Sequence, residues 1–287
     1  MTLIASYMSN AEQLLVVDQR LTDACTQELW KIRPRTHKIG LFSNLDQGYQ
    51  FAFAYWGLAE IGKERTEDWL ARMLPQFMGP SVPLMEGAQV FTNACTDAFA
   101  AVRFPAKQIG FVMQGRYISA VSRREEPFLF IISNCISRNG SQTFQLGDEF
   151  GCMSWVKQPN TGDDHVLRCC GNLHAAEPHL SSYKRLKRLL RRPIASHAKL
   201  ELVGRFLRRV GKAPKEKGTI GKDCFGLLMQ PGRIAEAVEW PESKGRRESL
   251  PYLVFAAGGA FTHVNLPPSN APQLGELDLD RPGPRSS

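Results

Sequence analysis

Three residues near the start of the chain have side chains that could do chemistry together: Thr2, Asp18 and Lys38. A threonine hydroxyl is a weak nucleophile and needs a base. When threonine is the first residue, its own α-amine can serve as that base. An α-amine has a reference pKa of about 7.7–8, against about 10.4 for lysine, so it accepts a proton near neutral pH without extreme burial. A lysine cation beside it favours the neutral amine, and an aspartate would hold that lysine and balance its charge.

The local sequence supplies elements to position the three. Thr2-Leu3-Ile4-Ala5-Ser6-Tyr7 has strand composition and ends at a Ser9-Asn10 turn signal. Leu14–Val17 is a continuous apolar run, as in a strand covered on both faces, and it stops at Asp18 and Arg20. Lys38-Ile39-Gly40-Leu41-Phe42 opens a third run with a charge at its mouth. If the first two strands form a hairpin, Thr2 lies beside Asp18.

Thr2, then Val17-Asp18 with Arg20 and Thr22, then Lys38-Ile39, resembles the start of a proteasome β-type subunit. It is equally similar to the threonine-protease subunit of the bacterial proteasome-like heat-shock complex. Both are N-terminal nucleophile (Ntn) hydrolases. Phe51–Trp56 followed by Gly57-Leu58-Ala59-Glu60 is similar to the family's apolar strand and the turn into its first long helix. The resemblance implies that the Gly57 backbone N–H binds the oxyanion. Two supporting positions depart from the family pattern. Cys170 of Cys169-Cys170-Gly171 stands where the family has a serine, and Thr219 or Asp223 stands in for a second serine-aspartate support.

Composition bounds the rest. At 287 residues and 43% apolar content the chain can bury a full core. No apolar run approaches the ~20 residues of a bilayer-spanning helix, and the N-terminus has no secretory pattern. A functional residue at position 2 agrees with that, since small second residues permit removal of Met1. Seven cysteines include no C-x-x-C pair, so neither a disulfide framework nor structural zinc is expected. The thiols read as reduced and mostly buried, in a cytoplasmic protein. His165 and Cys169 read as neighbours on one strand face and not as a catalytic pair.

The formal net charge of +8 is concentrated. Residues 184–217 hold 13 Lys/Arg against 2 Asp/Glu, so the remainder is net acidic. A basic run can neutralise nucleic-acid phosphates. No aromatic stacking platform accompanies this one, which favours a solvated helix face or a contact with an acidic neighbouring subunit.

Helical spacing places one helix between Gly57 and a stop at Pro75 and Gly79-Pro80, and a second over residues 88–103. Ile109–Met113 and Phe128–Ile132 read as buried strands with a hairpin or excursion between them. Residues 137–165 read as an extended loop with one short strand near Thr143–Leu146. Val166–Cys170 is a strand. Two basic amphipathic helices follow, separated at Pro193. Phe225–Met229 and Ile234–Trp240 form a hairpin, and Leu253–Ala257 is a further strand. Residues 1–265 make one domain, and 266–287, with five prolines, form a disordered tail.

The order is strands, two helices, strands, two helices, strands. It suits an α+β fold of two antiparallel sheets packed face to face, each covered by a helix pair. The family resemblance implies this four-layer α-β-β-α sandwich as well. It also implies a threonine endopeptidase acting on peptide or unfolded-protein substrates, working without metal or organic cofactor. Self-assembly into a ring or related closed array would confine so general an amidase, with or without an unfoldase partner. Two other classes stay open: a catalytically silent assembly or binding subunit, and a nucleic-acid-associated protein using the basic helices.

Overall fold

The computed structural model describes residues 2–18, 38–44, 49–57, 60–61, 64–77, 82–100, 108–119, 122–137, 140, 146–156, 165–171, 176–212, 223–233, 235–240, 252–256 and 261–264. The tail 266–287, Thr219, and residues 143–145 of the expected short strand lie outside them.

The chain opens with a hairpin. β1 (Leu3–Met8) pairs antiparallel with β2 (Gln13–Asp18), register Ile4 to Val17, and both strands are buried throughout. Hydrophobic and β-branched residues on both faces explain this: the hairpin lies inside the molecule. β3 (Ile39–Asn44) and β4 (Tyr49–Trp56) form a second antiparallel pair. A two-residue ladder, β5 (Glu60–Ile61) with β6 (Glu64–Arg65), precedes α1 (Thr66–Phe77) and α2 (Leu84–Ala100). Then come β7 (Gly110–Ile118), β8 (Glu125–Ser133), β9 (Gly151–Val156) and β10 (Val166–Gly171). The second helix pair is α3 (Leu180–Leu190) and α4 (Ser196–Lys212). β11 (Cys224–Met229), β12 (Glu236–Trp240), β13 (Tyr252–Ala256) and β14 (Phe261–Val264) complete the described elements.

The strands form two main sheets. One has five strands in the order β10-β1-β2-β11-β12, the other seven in the order β14-β13-β3-β4-β7-β8-β9. All pairings are antiparallel except β13 with β3, which is parallel. With four α-helices among the described residues the fold is α+β.

Strand alternation sorts the side chains into three cores. Leu3, Ala5, Leu14 and Val16 pack with Leu186, Val203 and Phe206 of α3 and α4. Phe51, Phe53, Phe111 and Phe130 pack with Trp69, Phe91 and Phe99 of α1 and α2. The intervening residues Ile4, Leu15 and Val17 meet Ala52, Ala54, Val112 and Leu129 of the other sheet.

The structure corrects several local readings. α1 begins at Thr66, after the β5–β6 turn, and runs through Pro75 to Phe77. The stretch read as extended loop contains β9, whose partner β8 supplies a full ladder from Phe128–Val156 to Ser133–Gly151. Gly151, Cys152 and Ser154 carry little intrinsic strand preference, so pairing decides this segment. β14 was not legible either, and the seven-stranded sheet is not purely antiparallel. No described helix is long and apolar enough to cross a membrane.

Tyr7 ties the hairpin to the second helix pair. Its hydroxyl donates to the Leu190 carbonyl at 2.9 Å and lies 2.7 Å from His165 Nδ1. Burial pushes its pKa up to about 12, and burial likewise lifts Tyr117 and Tyr183 to about 12. The folded state therefore holds these protons more tightly than the unfolded chain, which releases them near 10. The associated stability is complete below about pH 10 and is lost as pH rises toward 12. Tyr7→Phe is expected to lower stability at neutral pH by about 1–2 kcal/mol and to flatten the alkaline fall in urea midpoint. An unchanged alkaline slope would count against this assignment.

Candidate active site

The hairpin brings Thr2 to one end of the five-stranded sheet, where β1 starts and β2 stops. Thr2 is 5% exposed and Asp18 is fully buried. Asp18 Oδ2 accepts a hydrogen bond from the Leu3 backbone N–H at 2.6 Å. Its other oxygen, Oδ1, lies 3.5 Å from Lys38 Nζ. A carboxylate this deeply buried needs such partners, because desolvation of an unpaired charge costs several kcal/mol. Asp18 therefore ties the residue after Thr2 to Lys38, which enters from the other sheet.

Lys38 sits at the mouth of β3, and its carbonyl accepts the Tyr55 N–H at 3.2 Å. That bond joins it to the end of β4, where Gly57 follows Trp56. Gly57 has φ +102°, and a Cβ there would stand 2.6 Å from the Gln108 carbonyl oxygen. Both facts require glycine. Gly171, at the end of β10, has φ +92°. A Cβ on it would overlap the Thr2 carbonyl oxygen and approach Trp56 Cβ to 3.6 Å. The backbone of Gly171 thus lies between Thr2 and the β4 end that leads to Gly57.

The structure pairs Asp18 with Lys38, leaves Thr2 one residue before the Leu3 N–H that Asp18 accepts, and has Gly57 follow the β4 end of the facing sheet. Cys170 is in register with Ile4, is 6% exposed and packs in the inter-sheet core. Asp223 directly precedes Cys224, and Cys224 stands opposite Asp18 in the ladder. Thr219 lies outside the described residues. Burial, with Asp18 adding to it, pushes the Cys224 thiol well above its usual range. Among the described residues no group of His, Cys, Asp or Glu could hold a metal ion.

Sequence reasoning missed two features of this site. The Leu3 N–H is a partner that side-chain types cannot reveal. Gly171 was visible as the residue after Cys170, but its contact with Thr2 follows from the β1–β10 pairing, Leu3 to Gly171.

No family model and no curated protein matches the sequence. Solved structures do match. An Anbu (Gly-1) mutant from Hyphomicrobium sp. strain MC1 superposes with a TM-score of 0.53 at 12% identity, covering 83% of this chain and 88% of that one. The helical assembly of the Anbu complex from Pseudomonas aeruginosa gives 0.54 at 13%, covering 85% and 88%. Anbu (ancestral beta-subunit) from Yersinia bercovieri gives 0.51 at 12%, covering 79% and 81%. The chain shares its fold with Anbu. At this identity the likeness concerns the path of the chain and not its side chains. The Anbu-like path still explains why β1 and β2 are interior: both pack under α3 and α4 on one face and against the other sheet on the opposite face.

Proposed function

We propose that this chain is a proteasome-like N-terminal threonine hydrolase that cleaves peptide amide bonds. The observation that carries the reading is the fully buried Asp18 carboxylate, spanning the Leu3 N–H and the Lys38 ammonium one residue from Thr2. Removal of Met1 makes Thr2 the amino terminus. Its hydroxyl proton passes to its own α-amine, directly or through a water, and Oγ bonds to the substrate carbonyl carbon. The oxygen gains negative charge and is met by the Gly57 N–H. The C–N bond then breaks, with the ammonium returning its proton to the leaving amine. Water hydrolyses the resulting ester by the reverse sequence of proton transfers. Lys38 keeps the α-amine neutral and Asp18 orients Lys38. Cys170 and Asp223 are outer support for this end of the sheets, and Thr219 takes the same role in the family pattern. No metal or organic cofactor enters the chemistry.

The three cores support reading the layers as a four-layer α-β-β-α sandwich, with residues 1–265 as one Ntn-hydrolase-like domain and 266–287 as a tail. The helical assembly described for the Pseudomonas Anbu complex supports self-assembly here, in a ring or related array that confines a cytoplasmic peptidase to unfolded chains. A catalytically silent assembly subunit is the second reading. It is favoured by Cys170, a thiol in the apolar core where the family has a serine hydroxyl.

The test is treatment of cell-purified protein with a threonine-directed electrophile, followed by peptide mass spectrometry. One adduct on a Met1-free Thr2 peptide, absent from Thr2→Ala, is the expected result. Retention of Met1, or an unmodified Thr2, would reject the nucleophile.

A further inference from the structure

The outer face of the second helix pair carries a charge pattern that the Thr2 site does not use. In α3 and the turn after it, Lys184, Arg185, Lys187, Arg188, Arg191 and Arg192 are cations, and no Asp or Glu occurs between Glu177 and Glu201. At about 100° per residue they cover an arc of roughly 160°. Lys184, Arg188 and Arg191 form its crest and are exposed, while Arg185 and Lys187 flank the crest and are half-buried. Arg192 is exposed as well. The backbone beneath is fixed. Leu186 and Leu190 pack in the core against the five-stranded sheet, and the Tyr183 hydroxyl donates to the Leu167 carbonyl at 2.8 Å. The Arg192 N–H donates to the Leu189 carbonyl at 3.0 Å, which holds the turn carrying the last two cations.

Such a pattern is unfavourable for a helix by itself. Lys184 with Arg188, and Lys187 with Arg191, are like charges four residues apart, which repel. The helix dipole favours cations in the last turn, and Lys184 and Arg185 lie before it. Among the described residues Lys184, Lys187, Arg188 and Arg192 have no carboxylate partner, whereas Arg205 of α4 is paired with Glu201 at 2.8 Å. A polyanion would relieve the repulsion. The dimensions agree: Lys184 to Arg191 spans about 10 Å at 1.5 Å per residue, and about 10 Å of duplex carries roughly six phosphate charges. Other partners fit less well. Between Lys184 and Arg192 no apolar side chain is exposed, so the face lacks the apolar anchor that protein interfaces bury. The apolar stripe of α3 is taken up by the sheet, leaving Leu180 as its one exposed large apolar residue to enter a bilayer. The Tyr183 ring packs on Phe206 at 6.1 Å and offers no stacking surface to single-stranded bases. The lack of an aromatic platform excludes base stacking but not phosphate contact.

We propose that the crest of α3 is a docking surface for double-stranded DNA, held through its phosphates and without base readout. The side of a helix fits the major groove of B-form DNA, about 12 Å wide, where flanking cations reach both strands. The deep, narrow groove of A-form RNA does not admit it. This surface is independent of the Thr2 site.

The test titrates a short fluorescein-labelled DNA duplex with cell-purified full-length protein across a salt series, read by anisotropy. A dissociation constant of about 10⁻⁶–10⁻⁴ M near physiological salt is expected, with a log–log salt slope of about −4, at ~0.9 per phosphate met. The triple variant Lys184→Gln, Arg188→Gln, Arg191→Gln should bind about tenfold or more weakly and lose about 3 from that slope. The triple Arg72→Gln, Arg124→Gln, Arg233→Gln removes the same charge from exposed positions outside α3 and should bind within about twofold of wild type. If the first triple does not fold, Arg188→Gln alone decides, with binding about threefold weaker and a slope lower by about 1. No binding, a slope shallower than about −1, or equal losses in the two triples overturns the surface. Tighter binding to duplex RNA of the same sequence, or to phosphatidylserine vesicles, overturns the assignment to DNA.

Discussion

An Asp18→Asn chain is expected to lose about 3–5 kcal/mol of stability and all labelling of Thr2 by an electrophile. The substitution keeps the shape of the side chain and removes its charge. Lys38 is 3% exposed, so its ammonium would be left buried without its carboxylate. The Leu3 N–H would exchange a charged acceptor for a neutral one, and a bond of that kind is weaker by roughly half. In thermal unfolding the loss corresponds to a fall on the order of 10 °C. Lys38→Met should also be costly, because it removes the ammonium that faces a carboxylate with 0% exposure. The double variant should recover a large part of either loss, with a coupling energy of about 1–3 kcal/mol in a double-mutant cycle. Additive effects, or a single-variant loss below about 1 kcal/mol, would show that the pair does not hold this end of the sheets together.

Gly171→Ala is expected to damage the site more than the fold. Its φ of +92° is unfavourable for any residue with a Cβ, at a cost of about 1–3 kcal/mol. The new methyl would also overlap the Thr2 carbonyl oxygen, a backbone atom that can yield only if Thr2 itself moves. A displacement near 1 Å at a reacting group can lower rate by about a hundredfold, and electrophile labelling of Thr2 should fall by that order. Gly232→Ala is the matched control. Gly232 also has positive φ, +63°, but nothing lies within 4 Å of a Cβ there. That variant should lose about 1 kcal/mol and label normally. Equal labelling in the two variants would break the connection drawn between Gly171 and the position of Thr2.

The strongly patterned segments were legible without coordinates. Leu14–Val17 reads as a strand covered on both faces, and β2 is indeed buried on both. Leu186 and Leu190, then Leu202, Phe206 and Val210, read as apolar helix stripes, and each packs against the five-stranded sheet. β9 was not legible, because Gly151, Cys152 and Ser154 gain their strand conformation from β8. Nor was the start of α1 at Thr66, since the apolar residues before it belong partly to a short ladder whose existence depends on pairing.

The same division runs through the candidate site. Thr2, Asp18 and Lys38 were named from their residue types at the ends of three apolar runs together with the family resemblance, since each taken singly reads as an ordinary strand-end or surface residue. Their distances were not in the sequence. Asp18 meets Leu3 because β1 and β2 pair in one register, and Lys38 meets Asp18 because a second sheet packs on the first. Gly171 meets Thr2 because a strand more than 160 residues later closes the sheet edge. Local periodicity reports which face of a segment is apolar, and so it determined the elements and the candidate chemistry. Which faces meet, and which strand ends converge, depends on contacts between distant segments, and tertiary packing alone decided those.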